Sequence, residues 1–557
     1  MTRKVIVIIC AVLALVIGGF AVADELRGTG QGKQQEEETD SEEAETVSPD
    51  AEVKSGLSKA QQKVQKQIEA SYDVQKQQEI AEELDAKKAA KEYTFGDMLM
   101  EYNPFGTNTQ SLYVYFETEE PVNISYNIHV SDPDIGDFRR DVFQEEMYAT
   151  EHEFQVIGLI PDMDNTITFY MTGEDGATDT REVVYSMGSL LGTEKVVLDR
   201  ELKGTEEELA DGLYVVMGND SETLDFMYYY DNQGVLRGEI PIIGYRSHRL
   251  LFADDSMYYS ISETKMAKMN SLGQITAVYD LGDYKLHHDY VFDDNGNMLI
   301  LATDTTQDSV EDIVLRLDVN SGAVSEVLDL GDLFGSLKKD RVKNSSDELD
   351  WIHINTIQWM GNGSVLLSSR ETSTIIKIDH IYDDPSVAYL IGDKAVWEGT
   401  EYENLVFTPK GDFTIQGGQH SITYVKDSRL ADGQYYLYMF DNNIGVSETR
   451  PDFDWSGIGL TEDSGADGDT SYYYEYLVDE NAGTFELTDS FKVPYSGYVS
   501  SVQNLDGNTI VDSGMPGIFG EYDADHELIA QYTVEKEKFV YRVYKYDFKG
   551  FYFRAGE

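Results

Sequence analysis

The chain has little cysteine and little positive charge, and both shortages narrow its possible functions. Its only cysteine among 557 residues is Cys10, so the remainder has no thiol for a disulfide, for catalysis or for a metal. Lys and Arg number 43 against 103 Asp and Glu, a formal net charge of −60. Because phosphate backbones need basic surfaces, this charge argues against nucleic-acid binding. An anionic substrate would need a local pocket of Arg and His within this acidic field.

Proline is also scarce, and long apolar runs are confined to the N-terminus. There are 11 Pro against 47 Gly and 38 Tyr, and aromatic or β-branched runs between Gly, Asn and Asp predict a mostly β protein. Arg3 and Lys4 precede an apolar run from Val5 to Val22, which is typical of an export signal. Ala21-Val22-Ala23 fits a cleavage site, although the run is nearly long enough to anchor the chain. Either outcome places residues 24–557 outside the cytoplasm, secreted or held by a single N-terminal membrane segment.

The composition changes along the chain and predicts several segments. Residues 24–56 are acidic and low in apolar content, so they are interpreted as a disordered linker. Residues 57–92 are rich in Ala, Gln, Lys and Glu and predict a solvated helical stalk. Residues 93–190 carry five short runs with period two, which predict a small β-sandwich domain.

A four-strand repeat follows over residues 191–557. "HHDYVFDDNGNMLILATD…IVLRLDVNSGAVSEVLDL" shows one whole unit, and units begin near residues 211, 248, 287, 352, 420 and 498. Six such units predict a six-bladed β-propeller, in which the segment 539–549 is a candidate for the strand that closes the ring. The predicted fold class is therefore all-β, a propeller preceded by the sandwich and the stalk.

The repeat brings three histidines together. His288, His353 and His420 each begin the first strand of a blade, and first strands line the channel, so the three should converge at one mouth. Asn355 shares a face with His353, and a two-residue hairpin at "NG" sets Asn355 opposite Arg370. A guanidinium, an amide and imidazoles then form a candidate anion site.

The stretch "GGQHSITYV" predicts how His420 is presented. Gly417 and Gly418 are expected to keep the approach to His420 free of side chains. Alternation along the strand predicts that Ile422 and Tyr424 share the face of His420 and fix its direction.

Several motifs resemble those of the bacterial arylsulfate sulfotransferase family, over residues 94–557 in order. They are "LHHD", "DWIHINTIQW…LLSSR…IIKID", "GGQHS" and "YLYMFDNN". The resemblance implies an exported six-bladed propeller that moves a sulfuryl group from a phenolic sulfate ester to a phenol, without a nucleotide, cofactor or metal. It implies that His420 is the nucleophile, with His288, His353, Asn355 and Arg370 around the sulfate. Periplasmic members of the family carry a disulfide near the active site, which this chain cannot form.

The residue types suit this chemistry, and two other functions remain open. A neutral imidazole can attack sulfur to form a covalent intermediate, and His353 is the expected acid and base for the phenol oxygen. One alternative is a metallohydrolase with three imidazole ligands, against which Arg370 would repel the cation. The other is a non-catalytic propeller that binds a partner or a glycan. Contact with a membrane is expected only through an uncleaved N-terminal segment, and a homodimer is left open.

Overall fold

The computed structural model describes residues 57–554, apart from 203–204, 206, 219–222 and 462–469. The export signal and the acidic linker predicted over residues 1–56 lie outside the described residues. Within the described part of the chain, no helix is long and apolar enough to span a bilayer.

Residues 57–92 are helical as predicted, but they form two helices that lie against the protein. The helices are α1 (Lys59–Ser71) and α2 (Val74–Ala90). Val64 and Ile68 form the apolar stripe of α1, and both are buried. Just after α1, the hydroxyl of Tyr72 donates to the carbonyl of Pro241 in the propeller (2.7 Å). The stripe therefore docks the helix, and a solvated stalk does not describe this segment.

The small β-domain is built around one long strand. Its strands are β1 (Leu99–Tyr102), β2 (Ser111–His129), β3 (Phe138–Asp141), β4 (Ala149–Ile157), β5 (Asp164–Gly173) and β6 (Thr178–Ser186). The first half of β2 pairs with β1 and β4, and its second half pairs with β3 and β5. The long strand β2 thus joins two groups of strands. The alternating apolar runs predicted such a β-domain.

The propeller contains the remaining strands. Those of the first half are β7 (Asp199–Leu202), β8 (Leu213–Met217), β9 (Asp225–Tyr230), β10 (Leu236–Ile242), β11 (Leu251–Ala253), β12 (Ser256–Ser262), β13 (Lys265–Asn270), β14 (Ile275–Asp280), β15 (Tyr284–Phe292), β16 (Met298–Asp304), β17 (Ile313–Leu317) and β18 (Val324–Asp329). Those of the second half are β19 (Ile354–Gly361), β20 (Ser364–Ser369), β21 (Thr374–Asp379), β22 (Ser386–Ile391), β23 (Thr408–Lys410), β24 (His420–Val425), β25 (Gln434–Asp441), β26 (Thr470–Asp479), β27 (Thr484–Pro494), β28 (Ser501–Leu505), β29 (Asn508–Ser513), β30 (Ile518–Tyr522), β31 (Leu528–Thr533) and β32 (Arg542–Tyr546). Short helices lie between blades, namely α3 (Leu330–Leu333), α4 (Gly335–Lys339) and α5 (Lys394–Trp397).

These strands form six sheets, and the ring closes with strands from both ends of the domain. Blade 1 has the order β10-β9-β8-β32, and blades 2, 3 and 4 are β11–β14, β15–β18 and β19–β22. Blade 5 is β23-β27-β26-β25-β24, and blade 6 is β28–β31 with β7. The strand predicted to close the ring is β32, so the predicted fold class is confirmed.

The sandwich and the propeller share a hydrophobic core. Phe138 of the sandwich packs edge-on against Phe553 after the last blade, with ring centroids 6.4 Å apart. The guanidinium of Arg237 lies 4.6 Å from the ring of Phe138 and pairs with Asp231 (2.7 Å). Loss of Asp231 would leave this buried cation unpaired, which is strongly destabilising.

A buried ion cluster centred on Asp289, the neighbour of His288 in sequence, joins several blades. Asp289 accepts a hydrogen bond from Arg542 of the closing strand (3.1 Å) and lies 3.3 Å from Nε of Arg249. Its other oxygen accepts from the main-chain N–H of Ile357 (3.2 Å), while Arg542 also donates to the carbonyl of Asn355 (3.0 Å). The cluster ties blades 1, 2, 3 and 4 together at the axis.

Candidate active site

The three predicted histidines lie at equivalent places in three successive blades. His288 lies in β15, His353 directly precedes β19, and His420 begins β24. The rings of His288 and His353 have centroids 4.9 Å apart. Electrostatic interactions with His288, His353 and Arg370 lower the pKa of His420, which places all four groups in one electrostatic neighbourhood.

Left-handed backbone turns at these blade starts direct the side chains. The φ angles are +55° at His288, +45° at His353 and +55° at Ser421. Such angles cost residues other than glycine about 1–3 kcal/mol each, and they concentrate at functional sites.

The turn at Ser421 also changes which residues share a face with His420. A bulge lets His420 oppose Phe440 and Thr423 oppose Tyr438. Phe440 and Tyr438 are two residues apart, so their side chains point to the same face of the sheet. Because opposed residues share a face, the side chain of His420 lies on the same face as that of Thr423. The prediction that Ile422 and Tyr424 share it was wrong.

Asn442 fixes the protonation of the His420 ring. Nδ1 of His420 lies 2.8 Å from Oδ1 of Asn442 and 2.9 Å from the carbonyl oxygen of Gly418. The amide nitrogen of Asn442 donates to the carbonyls of Ser496 (2.7 Å) and Val499 (3.1 Å), which orients its oxygen toward the ring. Two acceptors face Nδ1, so Nδ1 carries the hydrogen and Nε2 keeps its lone pair.

The environment also keeps His420 neutral. Burial is the main cause that holds its pKa well below the usual value; only 2% of the residue is exposed. The hydrogen bond to Asn442 acts in the opposite direction, and the neighbouring cations add to the effect of burial. At neutral pH the ring is therefore uncharged.

His353 has the opposite charge state because two carboxylates meet one of its nitrogens. Nδ1 of His353 donates to Oδ2 of Asp350 (2.6 Å) and lies 2.9 Å from Oε2 of Glu311. Burial alone would lower its pKa, but the charges and hydrogen bonds of Asp350 and Glu311 overcome burial and raise the pKa to about 10. His353 is then an imidazolium at neutral pH whose Nε2–H is available to a ligand.

His288 uses both of its ring nitrogens inside the protein. Nδ1 lies 2.9 Å from the hydroxyl of Tyr541, and Nε2 lies 3.1 Å from Oε2 of Glu311. Burial lowers the pKa of His288 to about 3. In this structure, His288 holds Glu311 in place and offers no free nitrogen to an anion.

Arg370 lies beside these rings without an acidic partner. Its main-chain N–H donates to the carbonyl of His353 (3.0 Å), which fixes it at the end of β20. Among the described residues, no hydrogen bond or ion pair engages its guanidinium. An unpaired guanidinium in so acidic a protein is a strong candidate for binding an anion.

The predicted register that set Asn355 opposite Arg370 was wrong. Gly361 opposes Ser364 as expected, but two irregularities follow along the hairpin, so Ile354 opposes Ser369 and Asn355 is unpaired. The buried amide of Asn355 donates to the carbonyl of Gln419 (2.8 Å). Asn355 therefore holds the backbone just before His420.

The two glycines before His420 permit close packing and do not leave open space. A Cβ atom on Gly417 would lie 2.7 Å from the carbonyl oxygen of Ile444 and 2.7 Å from the side chain of Leu460. One on Gly418, whose φ is +61°, would lie 2.6 Å from the Ile444 side chain. The expected open approach through these residues was wrong, because the loop after β25 covers them.

Aromatic residues and one arginine stand beside His288. The Cζ atom of Arg246 lies 4.4 Å from the ring centroid of Tyr245, 4.5 Å from Tyr541 and 5.5 Å from Phe539. Tyr498 packs edge-on against Phe539 at 5.7 Å. These side chains form a stacked wall next to the histidines that is suited to aromatic ligands.

Sequence reasoning missed four residues that control the histidines. Asp350 and Asn442 stand inside the motifs "DWIH" and "FDNN", so the motifs themselves were the signal. Tyr541 stands in the predicted closing strand. Glu311 follows a plain acidic turn, and nothing in the sequence distinguishes it.

The described residues include two groups that could hold a metal ion. They are His287 with His288 and Glu311, and Glu311 with Asp350 and His353. Neither group includes His420, so the arrangement differs from the three-imidazole zinc site considered as an alternative. Glu311, His288 and His353 already bind one another in the structure.

The chain folds as a six-bladed β-propeller in which imidazole and guanidinium groups form a candidate anion site. The family model described as "Arylsulfotransferase (ASST)" matches residues 198–552, and the model for the "Arylsulfotransferase Ig-like domain" matches residues 99–188. The chain therefore belongs to the arylsulfotransferase family, as its motifs suggested. Membership supports aryl sulfotransferase activity, with a phenolic sulfate donor and a phenolic acceptor as substrates.

Other comparisons give distant likenesses. No curated protein gives a significant match. A putative 6-phosphogluconolactonase from Bacteroides fragilis is 10% identical with a TM-score of 0.33, and the match covers 77% of this chain and 99% of that one. BamB from Moraxella catarrhalis is 10% identical with a TM-score of 0.29, covering 63% and 96%.

Proposed function

We propose that this protein transfers a sulfuryl group between phenols in two steps, through a sulfonated His420 and without a nucleotide. The observation that carries the proposal is the contrast in hydrogen bonding between two neighbouring histidines: Nδ1 of His420 faces two neutral acceptors, whereas Nδ1 of His353 faces two carboxylates. His420 is neutral with a free Nε2, whereas His353 is protonated with a free Nε2–H, and an unpaired Arg370 lies beside them.

In the first step, the lone pair on Nε2 of His420 attacks the sulfur of an aryl sulfate. The bond between sulfur and the aryl oxygen breaks, and Nε2–H of His353 gives its proton to that oxygen, so that a neutral phenol leaves. Arg370 offsets the charge on the sulfuryl oxygens. The product carries the sulfuryl group on Nε2 of His420, while Nδ1–H keeps its hydrogen bond to Oδ1 of Asn442.

In the second step, an acceptor phenol takes the place of the first. Neutral His353 accepts the phenol's proton on Nε2, the phenol oxygen attacks sulfur, and the bond between sulfur and Nε2 of His420 breaks. The electron pair returns to Nε2, which restores both histidines. One acid–base group thus serves both steps, because the second step is the reverse of the first.

Intact mass spectrometry tests the covalent step. Donor alone should add about 80 Da on His420, the mass of one sulfuryl group, and an added phenol should remove it. His420→Ala should lose both the adduct and turnover, while His152→Gln, which replaces a buried histidine of the sandwich, should keep both. Full transfer by His420→Ala would refute the mechanism.

Further measurements distinguish the alternative functions and test the proposed location. A binding propeller would form no adduct, and a metallohydrolase would lose activity on chelation and contain stoichiometric metal. The proposed site of action is outside the cytoplasm, from the N-terminal export signal. Fractionation of producing cells would contradict it by finding the protein only in the cytoplasm.

A further inference from the structure

Two carboxylates from different segments converge on one nitrogen of His353, where one would be enough to fix the ring. Asp350 belongs to the segment just before β19, and Glu311 to the loop between β16 and β17. Their oxygens lie 2.6 Å and 2.9 Å from Nδ1 of His353. Nε2 of this ring is the only nitrogen left for a substrate.

The position of Glu311 is fixed from several sides. Its φ is +58°, a left-handed conformation that is costly for glutamate. Its main-chain N–H donates to the hydroxyl of Thr303 (2.9 Å), and its carbonyl accepts from the N–H of Ile354 (3.2 Å). Its carboxylate also contacts Nε2 of His288 (3.1 Å), so the side chain is held between two imidazoles.

We propose that Glu311 and Asp350 are positioning residues that keep His353 charged and aim its Nε2–H at the aryl oxygen, which lets the enzyme use unactivated phenyl sulfates. This inference rests on the proposed function. It adds the residues that adapt the acid–base group to its class of substrate.

The groups around His353 divide by sign. His353 lowers the pKa values of His287, His288 and His420, and Arg370 lowers that of His420, so none of these groups favours a positive charge on His353. Only Glu311 and Asp350 favour it, and His353 in turn holds the pKa of Glu311 well below its usual value although burial opposes this. Burial raises the pKa of Asp350 to about 6, so this carboxyl is still mostly ionised at neutral pH. Two carboxylates therefore face the one imidazolium of His353.

The charge state of His353 matters because this residue must donate a proton in the first step and accept one in the second. An ordinary phenol has a pKa of about 10, and acid–base catalysis is most effective in both directions when the two groups have similar pKa values. The carboxylates bring His353 toward the phenol value, whereas an unpaired imidazole of pKa about 6.5 would be a poor match. A sulfate ester whose phenolate is a good leaving group depends less on the proton from His353.

The test compares two donors within each variant. Glu311→Gln keeps the shape and an acceptor oxygen but removes the charge. With phenyl sulfate, turnover should fall roughly 10²-fold, at the lower end of the range for a general acid because Asp350 remains. With para-nitrophenyl sulfate, whose phenolate leaves readily, the change should be less than about threefold. The alkaline limb of the pH profile with phenyl sulfate should move to lower pH.

Two further variants guard against an effect on folding. Asp350→Asn should show the same donor selectivity, although it lies in another segment. Glu239→Gln removes a fully buried glutamate at the junction with the sandwich and should leave the donor ratio unchanged. Because the ratio is taken within one preparation, a loss of folded protein lowers both rates equally and leaves it constant.

The possible outcomes distinguish the two proposals. Equal loss with both donors, or an unchanged pH profile, in Glu311→Gln and Asp350→Asn would overturn this inference and leave the proposed function standing. A wild-type protein that transfers from neither donor would overturn both. Loss confined to phenyl sulfate, with the shifted profile, would support the inference.

Discussion

Replacing Asn442 with Leu should separate the orientation of His420, the proposed nucleophile, from its chemistry. The change removes three hydrogen bonds: the one from Nδ1–H of His420 (2.8 Å) and the two to the carbonyls of Ser496 and Val499. Nδ1–H keeps a second acceptor, the carbonyl of Gly418 at 2.9 Å. The reactive tautomer therefore survives the substitution, and only part of its support is lost.

The expected magnitudes follow from these contacts. A neutral hydrogen bond contributes about 1–1.5 kcal/mol net, and one to a charged group about 1.5–3 kcal/mol. Because His420 gains positive charge as the sulfur–nitrogen bond forms, adduct formation should slow about 10- to 100-fold. The carbonyls of Ser496 and Val499 lose donors in a buried site, at about 1–3 kcal/mol each, so the free energy of unfolding should fall by about 2–6 kcal/mol.

Rapid-quench mass spectrometry measures the first quantity, and denaturant unfolding measures the second. Asn165→Leu is the matched control, because Asn165 is also fully buried and makes three hydrogen bonds in the sandwich. It should lose stability but form the adduct at the wild-type rate per folded molecule. A wild-type rate in Asn442→Leu would refute the orienting role. A fall beyond about 10⁴-fold would indicate that Asn442 takes part in the chemistry.

Three other changes test separate parts of the site. Arg370→Lys keeps the charge but loses the planar fork, so turnover should fall roughly 10²–10³-fold in steady-state assays; wild-type turnover would mean that the anion binds elsewhere. Asp289→Asn leaves Arg542 without its buried counter-charge and should lower the free energy of unfolding by about 3–5 kcal/mol in urea titrations, whereas a loss below 1 kcal/mol would contradict the role of the cluster. Burial raises the pKa of Asp441 to about 7, above the value of about 3.9 expected when unfolded. Asp441 therefore contributes its full stability below about pH 4, and this contribution is lost as the pH rises toward 7. Because Asn does not titrate, the free energy of unfolding of Asp441→Asn should not show this decline, whereas that of the wild type should.

The fold could be predicted from the sequence because each blade is a local unit. Four strands joined by tight turns leave a readable repeat, and the repeat alone placed His288, His353 and His420 at one mouth. Their convergence needed no knowledge of long-range contacts. The helices at 59–90 were recognised from composition, but their docking onto the propeller depends on partners such as Pro241, 169 residues away from Tyr72.

The finer geometry could not be predicted for reasons visible in single residues. The register at Asn355 depends on bulges, and these depend on left-handed turns at residues that sequence rules assign to extended strands. Glu311 reaches the site from a loop that the repeat treats as variable. The face of His420 changed because Ser421 adopts φ of +55°, which alternation cannot foresee.

Closure of the ring completes the site as well as the fold. Tyr541, directly before the closing strand β32, contacts His288, and its neighbour Arg542 contacts both Asp289 and the carbonyl of Asn355. Asn355 in turn holds the backbone before His420. The last strand of the domain and the residue before it thus reach blades 3 and 4, at separations of 253 and 187 positions, and blade 5 through Asn355. Because the entropy of closing long loops must be paid before such non-local contacts form, we expect His420 and His353 to gain their final positions only when β32 completes blade 1.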